Sequence, residues 1–333
     1  MPLKPANLIL AGDVGGTKTL LELGVLREGL WQAVHGARYA ALDQPDLPSA
    51  LRHFLDACRS RAVLPGPIAS ACFGVAGPVS GNRAQLTNLP WLVDGVAISA
   101  AFGIPHVHVV NDFAAAASGV ALLQATDLVV LQAGEPLPAA PRLVLGAGTG
   151  LGVAHLIRSG PDYQVIAGEG GHAGFAPANA AQGELWRELL ARQGRVIVED
   201  VVSGPGLARI HAHLLRREGL PPTVMAPAAI SHAALVEGDA LCLHALDLFI
   251  ECYGGAARNL ALAVLPRGGV YIAGGIAARI LARLMQGGFM AAFTAPGAHV
   301  EALRKMPVSV VTNDRLGVLG AAWLASRQQA VRA

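Results

Sequence analysis

The chain is poor in charge, in lysine and in cysteine. Charged residues make up 14% of its 333 positions, and lysine occurs three times, at Lys4, Lys18 and Lys305. No basic tract interleaved with aromatic residues runs along it, which excludes the electrostatic footprint of a nucleic-acid binder. Cys58, Cys72, Cys242 and Cys252 stand among apolar neighbours, with no C-x-x-C pair and no Cys/His cluster at zinc-ligand spacing. Buried, reduced thiols are therefore expected. Long apolar runs are missing as well. Hydrophobic residues reach 53%, but much of this is alanine, and glycine and proline interrupt every run before the roughly 18 residues that a membrane span requires. The opening MPLKPANLILAGD has too short an apolar run, and no small-residue cleavage site, for a secretory leader; a cytoplasmic protein is expected.

What is present is alternation. At about 150 residues per domain the length suggests two domains. Short apolar strands (LILAGDVGG, IASACFGVAG, VHVVNDF) alternate with alanine- and leucine-rich helical stretches, one near Pro48 to Arg61 and one in AAAASGVALL. That order argues an α/β fold with a largely parallel sheet. Proline-rich segments 134–142 and 221–227 read as loops, too short for flexible tethers. LILAGDVGGTKTLLELGVL and RLVLGAGTGLGVAHLI form a weak internal repeat: strand, glycine turn with Thr, second apolar stretch.

GDVGGTKT, Gly12 to Thr19, is one glycine short of the P-loop pattern G-x-x-x-x-G-K-[ST]. A P-loop must open a helix, whereas Thr19, Leu21, Leu23 and Val25 share one face with Glu22 on the other, which is strand periodicity. Gly24, the Arg27-Glu28-Gly29 break and LWQAVHGARY then read as the turn and return strand of a hairpin. In such a strand-turn-strand loop, Gly15 and Gly16 let the backbone approach a phosphate and Thr17 adds a hydroxyl donor. Asp13 beside phosphates calls for a cation between them, and magnesium is the natural one. An ordinary Gly-Gly hairpin turn with a solvated Asp is the competing reading. The second glycine loop, Gly146 to Gly152, fails G-x-G-x-x-G because Leu151 takes the last glycine's place, and a strand rather than a helix follows. Two such loops about 130 residues apart fit a nucleotide held from two sides; a tight glycine turn is the plainer alternative.

Asn111-Asp112 end an apolar strand just before an alanine-rich helix. Asp112 is placed to cap that helix, or to be a carboxylate kept ionised by the helix end and ready to take a hydroxyl proton. Glu169 and His172 in GEGGHAGF, and Glu199 in EDVVSGPG, suit a pocket for adjacent hydroxyls of a polyol or sugar, with Thr87 and Asn88 of TNLPW within possible reach. A loop histidine and turn-forming Thr87 and Asn88 are the plainer readings. Gly274-Gly275 in GGVYIAGGIAARI allow either a flat base or ribose against backbone, or close strand-helix packing.

DVGGTK, GVAGPVSG, LTNLPW, VNDF, GAGTGLGVAHL, GEGGHAGFAP, VEDVVSGPGL, GGVYIAGGI and NDRLGVLGAAWLA, in order from about residue 8 to 325, resemble the bacterial glucokinases of the hexokinase-like, actin-fold superfamily. The resemblance implies an ATP-dependent phosphorylation of glucose at its 6-hydroxyl. It implies an α/β fold of two ribonuclease-H-like domains flanking a central cleft, expected as 1–110 plus 314–333, with the first phosphate hairpin, and 111–313, with the second phosphate loop and most of the sugar site. Asp112 would be the general base, and Asn111, Glu169, His172 and Glu199 would bind sugar hydroxyls. Gly12, Asp13, Gly15, Gly16 and Thr17, with Gly146, Gly148, Thr149 and Gly150, would hold ATP phosphates and magnesium, the metal reaching Asp13 through water. Gly274 and Gly275 would lie by the adenosine. The zinc signature C-x-C-G-x-x-G-C of ROK sugar kinases is absent after His172, so no structural zinc is expected, although Lys18 after GGT is a ROK-like choice whose role stays open. Resemblance and apolar composition favour a homodimer. A kinase of fructose or mannose, or one using polyphosphate, is the main alternative. A sugar-binding regulator lacks room for a DNA-binding segment before Ile9, and an actin- or Hsp70-like ATPase would lack the sugar-loop set.

Overall fold

The computed structural model describes residues 8–330 except positions 65, 161 and 222; the first seven residues, on which the leader expectation partly rests, lie outside it. The chain divides into two compact units, one running to Ala125 and resuming at Asn313, the other spanning Thr126–Thr312. The sequence placed the division at 110; residues 111–125 instead associate with the first unit. The reason is packing: the helix that begins at Asp112 lies on the first sheet and against the C-terminal helix.

The first unit begins with β1 (Leu8–Val14), β2 (Lys18–Arg27) and β3 (Leu30–Ala40), an antiparallel meander. The β2–β3 turn sits at Glu28-Gly29, both with positive φ (51° and 76°), the geometry of a type I′ hairpin. Gly24 is not part of that turn. It stays within β2 at a bulge, where a side chain would collide with the Gln32 carbonyl and the Trp31 ring. Helix α1 (Leu47–Ser60) follows, capped by Asp46 accepting from the Ser49 amide at 2.7 Å, with Pro48 in its first turn. β4 (Ile68–Val75) runs parallel to β1, and β5 (Val79–Ser80), β6 (Arg83–Gln85) and β7 (Leu92–Asp94) form a small separate sheet. α2 (Gly95–Phe102), β8 (His106–Asn111) and α3 (Asp112–Gly119) complete the order β3-β2-β1-β4-β8. β1 is buried on both faces: Leu8, Leu10 and Val14 join Leu51, Phe54 and Leu55 of α1, while Ile9 and Ala11 meet Val318, Ala321, Ala322 and Ala325 of the C-terminal helix Leu316–Ala330.

The second unit repeats the plan. β9 (Leu128–Gln132) is an added edge, and the loop 134–142 leads to β10 (Arg142–Ala147), β11 (Leu151–Ser159) and β12 (Asp162–Gly168), again an antiparallel meander. Helices α4 (Ala180–Gln193), α5 (Gly204–Arg217), α6 (Pro227–His232) and α7 (Ala240–Val264) precede β13 (Val270–Ala273), which is parallel to β10. Short helices α8 (Gly275–Arg279), α9 (Leu281–Leu284), α10 (Gly288–Phe293) and α11 (Val300–Arg304) lead to β14 (Val308–Val311), and the sheet runs β12-β11-β10-β13-β14-β9. The internal repeat is thus two copies of a hairpin feeding parallel strands. α7, with 25 residues, is long and apolar enough to cross a membrane, but 61% of its most apolar window is buried inside the unit, as in a core helix. All four cysteines are buried and free.

Candidate functional site

In the first unit the candidate residues gather at the carboxyl ends of parallel strands, where ligands of α/β sheets lie. Register pairs Asp13 with Gly74 across β1 and β4, and Val75 with Asn111 across β4 and β8, so three strand ends come level. Gly74 is required there: a methyl group on it would stand 2.7 Å from the Ala115 Cβ and 3.5 Å from the Asp112 Cα, so its absence lets the first turn of α3 settle on β4. The β1–β2 turn is tight, with the Gly15 amide donating to the Lys18 carbonyl at 3.0 Å. Its tip, Thr17, is exposed. Gly16 faces Asn88, whose Cβ would be 3.1 Å from a side chain at 16, so TNLPW meets the glycine turn. Thr87 is fastened to Ala76 through its amide, at 3.1 Å, and its hydroxyl, at 3.3 Å.

Asn111, not Asp112, caps α3. Its side-chain oxygen accepts from the amides of Phe113 (2.9 Å) and Ala114 (3.1 Å). Asp112 is the first residue inside the helix, its Oδ1 accepting from the Phe113 amide at 2.8 Å. The capping duty that could have explained Asp112 is therefore carried by its neighbour. A carboxylate in the first turn is favoured in its charged form by the helix dipole.

Burial, followed by the Asp112 charge, pushes the Asp13 carboxyl up to about 6, against the opposing pull of Lys18 and Arg38. Two residues of the closing NDRLGVLGAAWLA motif, neither given a role from sequence alone, define its surroundings. Gly317, in the first turn of the C-terminal helix, faces the Asp13 carboxylate, where a methyl group would lie 2.9 Å from Cγ. Arg315 holds that turn: its Nε and Nη2 donate to the two oxygens of Glu22 at 2.7 Å each, and Trp31 Nε1 adds a third bond at 2.7 Å. Glu22 is buried, with these two side chains on its carboxylate. Among the described residues no group of three His, Cys, Asp or Glu is arranged to hold a metal. A single carboxylate beside a glycine turn fits magnesium delivered with phosphates, since that ion keeps most of its waters and takes one or two protein carboxylates.

In the second unit β10 ends at Ala147, pinned by the fully buried Tyr253, whose hydroxyl accepts from the Ala147 amide at 3.2 Å. Register pairs Gly146 with Gly152 and Ala147 with Leu151, leaving Gly148-Thr149-Gly150 as the turn. Nothing lies within 4 Å of where a Gly148 side chain would start, and Thr149 is exposed. Gly274 has φ 86° and its Hα side abuts the Ala147 carbonyl, so close packing at the β13 end accounts for it; Gly275 has open space where its side chain would be. Glu169 and His172 are exposed on the loop after β12, the His172 amide donating to the Glu169 carbonyl at 2.9 Å. Glu199 lies under the glycine turn: its Oε2 accepts from the Leu151 amide at 2.7 Å. Asp200 faces the other way and secures the loop through Ile197 and Gln193. The structure thus brings Gly12, Asp13, Gly15, Gly16, Thr17, Thr87, Asn88, Asn111 and Asp112 together in one unit. It brings Gly146, Gly148, Thr149, Gly150, Glu169, His172, Glu199, Gly274 and Gly275 together in the other.

The glucokinase family profile matches residues 10–328. The chain is 42% identical to a glucokinase of Nostoc punctiforme, over 96% of this chain and 99% of that protein. A crystal structure of a glucokinase from an Antarctic psychrotroph superposes with a TM-score of 0.87 at 30% identity, covering 96% of this chain and 99% of that one. The fold is also shared with a ROK family glucokinase of Streptomyces griseus, solved with glucose and AMPPNP (21% identity, TM-score 0.63, 96% of this chain and 99% of that one). Ordered motifs, repeated sheet plan and near-complete coverage converge: the chain belongs to the glucokinase family.

Proposed function

We propose that the protein transfers the γ-phosphoryl group of ATP to the 6-hydroxyl of glucose, with Asp112 as general base. The observation that carries this reading is the convergence at the first glycine turn: Asp13, Asp112 and the Asn88-bearing loop meet at level ends of parallel strands. Asp112 takes the proton of the hydroxyl as the new O–P bond forms and the bond from the γ-phosphorus to the β-bridging oxygen breaks, releasing ADP. A positioned base of this kind contributes about 10²- to 10⁴-fold. Phosphoryl transfer has a loose transition state, so alignment and charge stabilisation carry most of the rest.

Glu169, His172 and Glu199 hold sugar hydroxyls, with Thr87, Asn88 and the amide nitrogen of Asn111 available to the same substrate. Backbone N–H groups of Gly16, and of Thr149 and Gly150, cradle phosphates, joined by the hydroxyls of Thr17 and Thr149, while the Gly15 and Gly148 amides close the two turns by donating to the Lys18 and Gly150 carbonyls; Gly275 leaves a flat surface for the adenosine. Magnesium, held by Asp13 through water, would neutralise phosphate charge. Asp112 belongs to the first unit, and Glu169, His172 and Glu199 belong to the second. Buried thiols suit a reducing cytoplasm, and a homodimer is the assembly that family resemblance favours. The test is a panel of glucose, fructose and mannose against ATP and polyphosphate, with the phosphate located on the product by NMR. Glucose 6-phosphate formed from ATP, well ahead of the other pairs, is expected. A preferred hexose other than glucose, or a preferred polyphosphate donor, would overturn that part of the reading.

A further inference from the structure

Glu199 has two oxygens, and one of them does not belong to the sugar. Oε2 accepts the Leu151 amide at 2.7 Å and would be 2.5 Å from a methyl group on Gly150, so it fills the space beneath the glycine turn. Among the described residues Oε1 accepts no protein hydrogen bond. The same segment grips the turn a second time: the Gly204 amide, at the start of α5, donates to the Gly148 carbonyl at 2.8 Å. Ser203 ties the two grips together, donating to the Glu199 carbonyl at 2.7 Å and accepting from the Gly206 amide at 3.0 Å.

The sugar loop leans on the same residue. Gly171, between Glu169 and His172, abuts the Leu151 carbonyl so closely that a side chain there would collide with it, and Gly170 packs on Val153. The loop is further joined to the Glu199 segment by the Val198 amide donating to the Ala173 carbonyl at 2.9 Å and by the Phe175 amide donating to the Val196 carbonyl at 3.0 Å. Leu151 is therefore held from its amide side by Glu199 and crowded from its carbonyl side by the sugar loop.

We infer that Glu199 is a positioning residue for the second glycine turn, coupling hexose binding to nucleotide binding through its bond to the Leu151 amide. The inference rests on the reading of Glu169, His172 and Glu199 as hexose-holding residues. A hexose hydroxyl on Oε1 fixes the carboxylate, and the fixed Oε2 fixes the turn whose amides face phosphate. Ordering the turn in advance strengthens nucleotide binding, and by linkage a bound nucleotide strengthens hexose binding by the same factor.

The experiment is calorimetric titration of the full chain with glucose, and with magnesium AMPPNP, each with and without the other. Wild type should show mutual tightening of roughly tenfold, within the usual 5- to 150-fold span of such couplings. Gly150→Ala attacks the contact from the nucleotide side. The atom that must yield to its methyl group is the end of the flexible Glu199 side chain, so the fold survives. It should weaken glucose by at least about fivefold with no nucleotide present and bring the coupling toward one. Glu199→Asp, too short to reach the Leu151 amide, should also abolish the coupling, while Glu199→Gln, which keeps an acceptor of the right length, should retain more of it than Asp does. Thermal melts of each variant exclude gross unfolding. Wild-type affinities that ignore each other, or an unchanged coupling in Gly150→Ala and Glu199→Asp, would overturn the inference while leaving the kinase reading intact. Wild type that binds no glucose would overturn the kinase reading itself, and the inference with it.

Discussion

Asp13→Asn should make the ligand-free protein more stable and, at the same time, a poor catalyst. Burial, then the Asp112 charge, raises the Asp13 carboxyl from 3.8 to about 6. The folded protein thus holds that proton more tightly than the unfolded chain. Above pH 6 the group is ionised in both states and the native state bears the full penalty. As pH falls through 6 toward 3.8 the penalty fades, and below 3.8 it is gone. Two pH units correspond to about 3 kcal/mol, and partial exposure of the side chain screens this to about 1–3 kcal/mol. Asparagine keeps the shape without the charge. In a unit of this size the gain amounts to roughly 2–10 °C in the melting temperature at pH 7.5. Calorimetry of both proteins without nucleotide or magnesium, from pH 4.5 to 8, reads the difference directly, the Asp13–Asp112 repulsion being part of it. The variant should lead at pH 7.5 and lose its lead toward pH 4.5, while turnover with magnesium ATP falls. Equal melting temperatures at pH 7.5, or a gap independent of pH, would refute the reasoning.

Three further outcomes are expected. Asp112→Ala should retain glucose affinity within a few-fold while turnover drops by about 10²- to 10⁴-fold, separable by calorimetry and a coupled ADP assay; near-normal turnover would remove Asp112 as base. Glu22→Ala leaves Arg315 and Trp31 without their shared acceptor and should cost about 3 kcal/mol in urea unfolding, at the low end for a broken buried pair because Arg315 is 40% exposed. A loss below about 0.5 kcal/mol would mean the pair contributes nothing. All four thiols should resist a disulfide reagent at pH 8 in the folded protein and react fully on unfolding, because burial pushes Cys58 and Cys242 up to about 11 and Cys72 up to about 12.

Much of this arrangement is written locally in the sequence. Period-two alternation after GDVGGTKT identifies the hairpin, and Arg27-Glu28-Gly29 locates its turn, because strand faces and left-handed turn positions are set within a few residues. Asp112 beside a helix start is equally legible. What escaped is non-local. That Asn111 takes the cap depends on how the β8 end is aimed, which two adjacent capping residues leave undecided. That Glu22 is buried and paired with an arginine 293 positions away cannot be read from its place on a strand face. Gly317 stands in the quoted NDRLGVLGAAWLA, but nothing in that motif says that Asp13 is what it accommodates. Glu199 reads as one more hydroxyl-binding carboxylate, and only the fold reveals its bond to the Leu151 amide.

The first unit is closed by the last stretch of chain, and this sets an order on the ribosome. Until Leu316–Ala330 emerges, Ile9, Ala11 and Cys72 have no helix to cover them and Glu22 has no arginine. The second unit, contiguous from Thr126 to Thr312, has no such debt and can be complete first. Synthesis therefore delivers the unit with Glu169 and His172 in finished form while the unit with Asp13 and Asp112 still waits, an apolar sheet face open to any chaperone that reaches it.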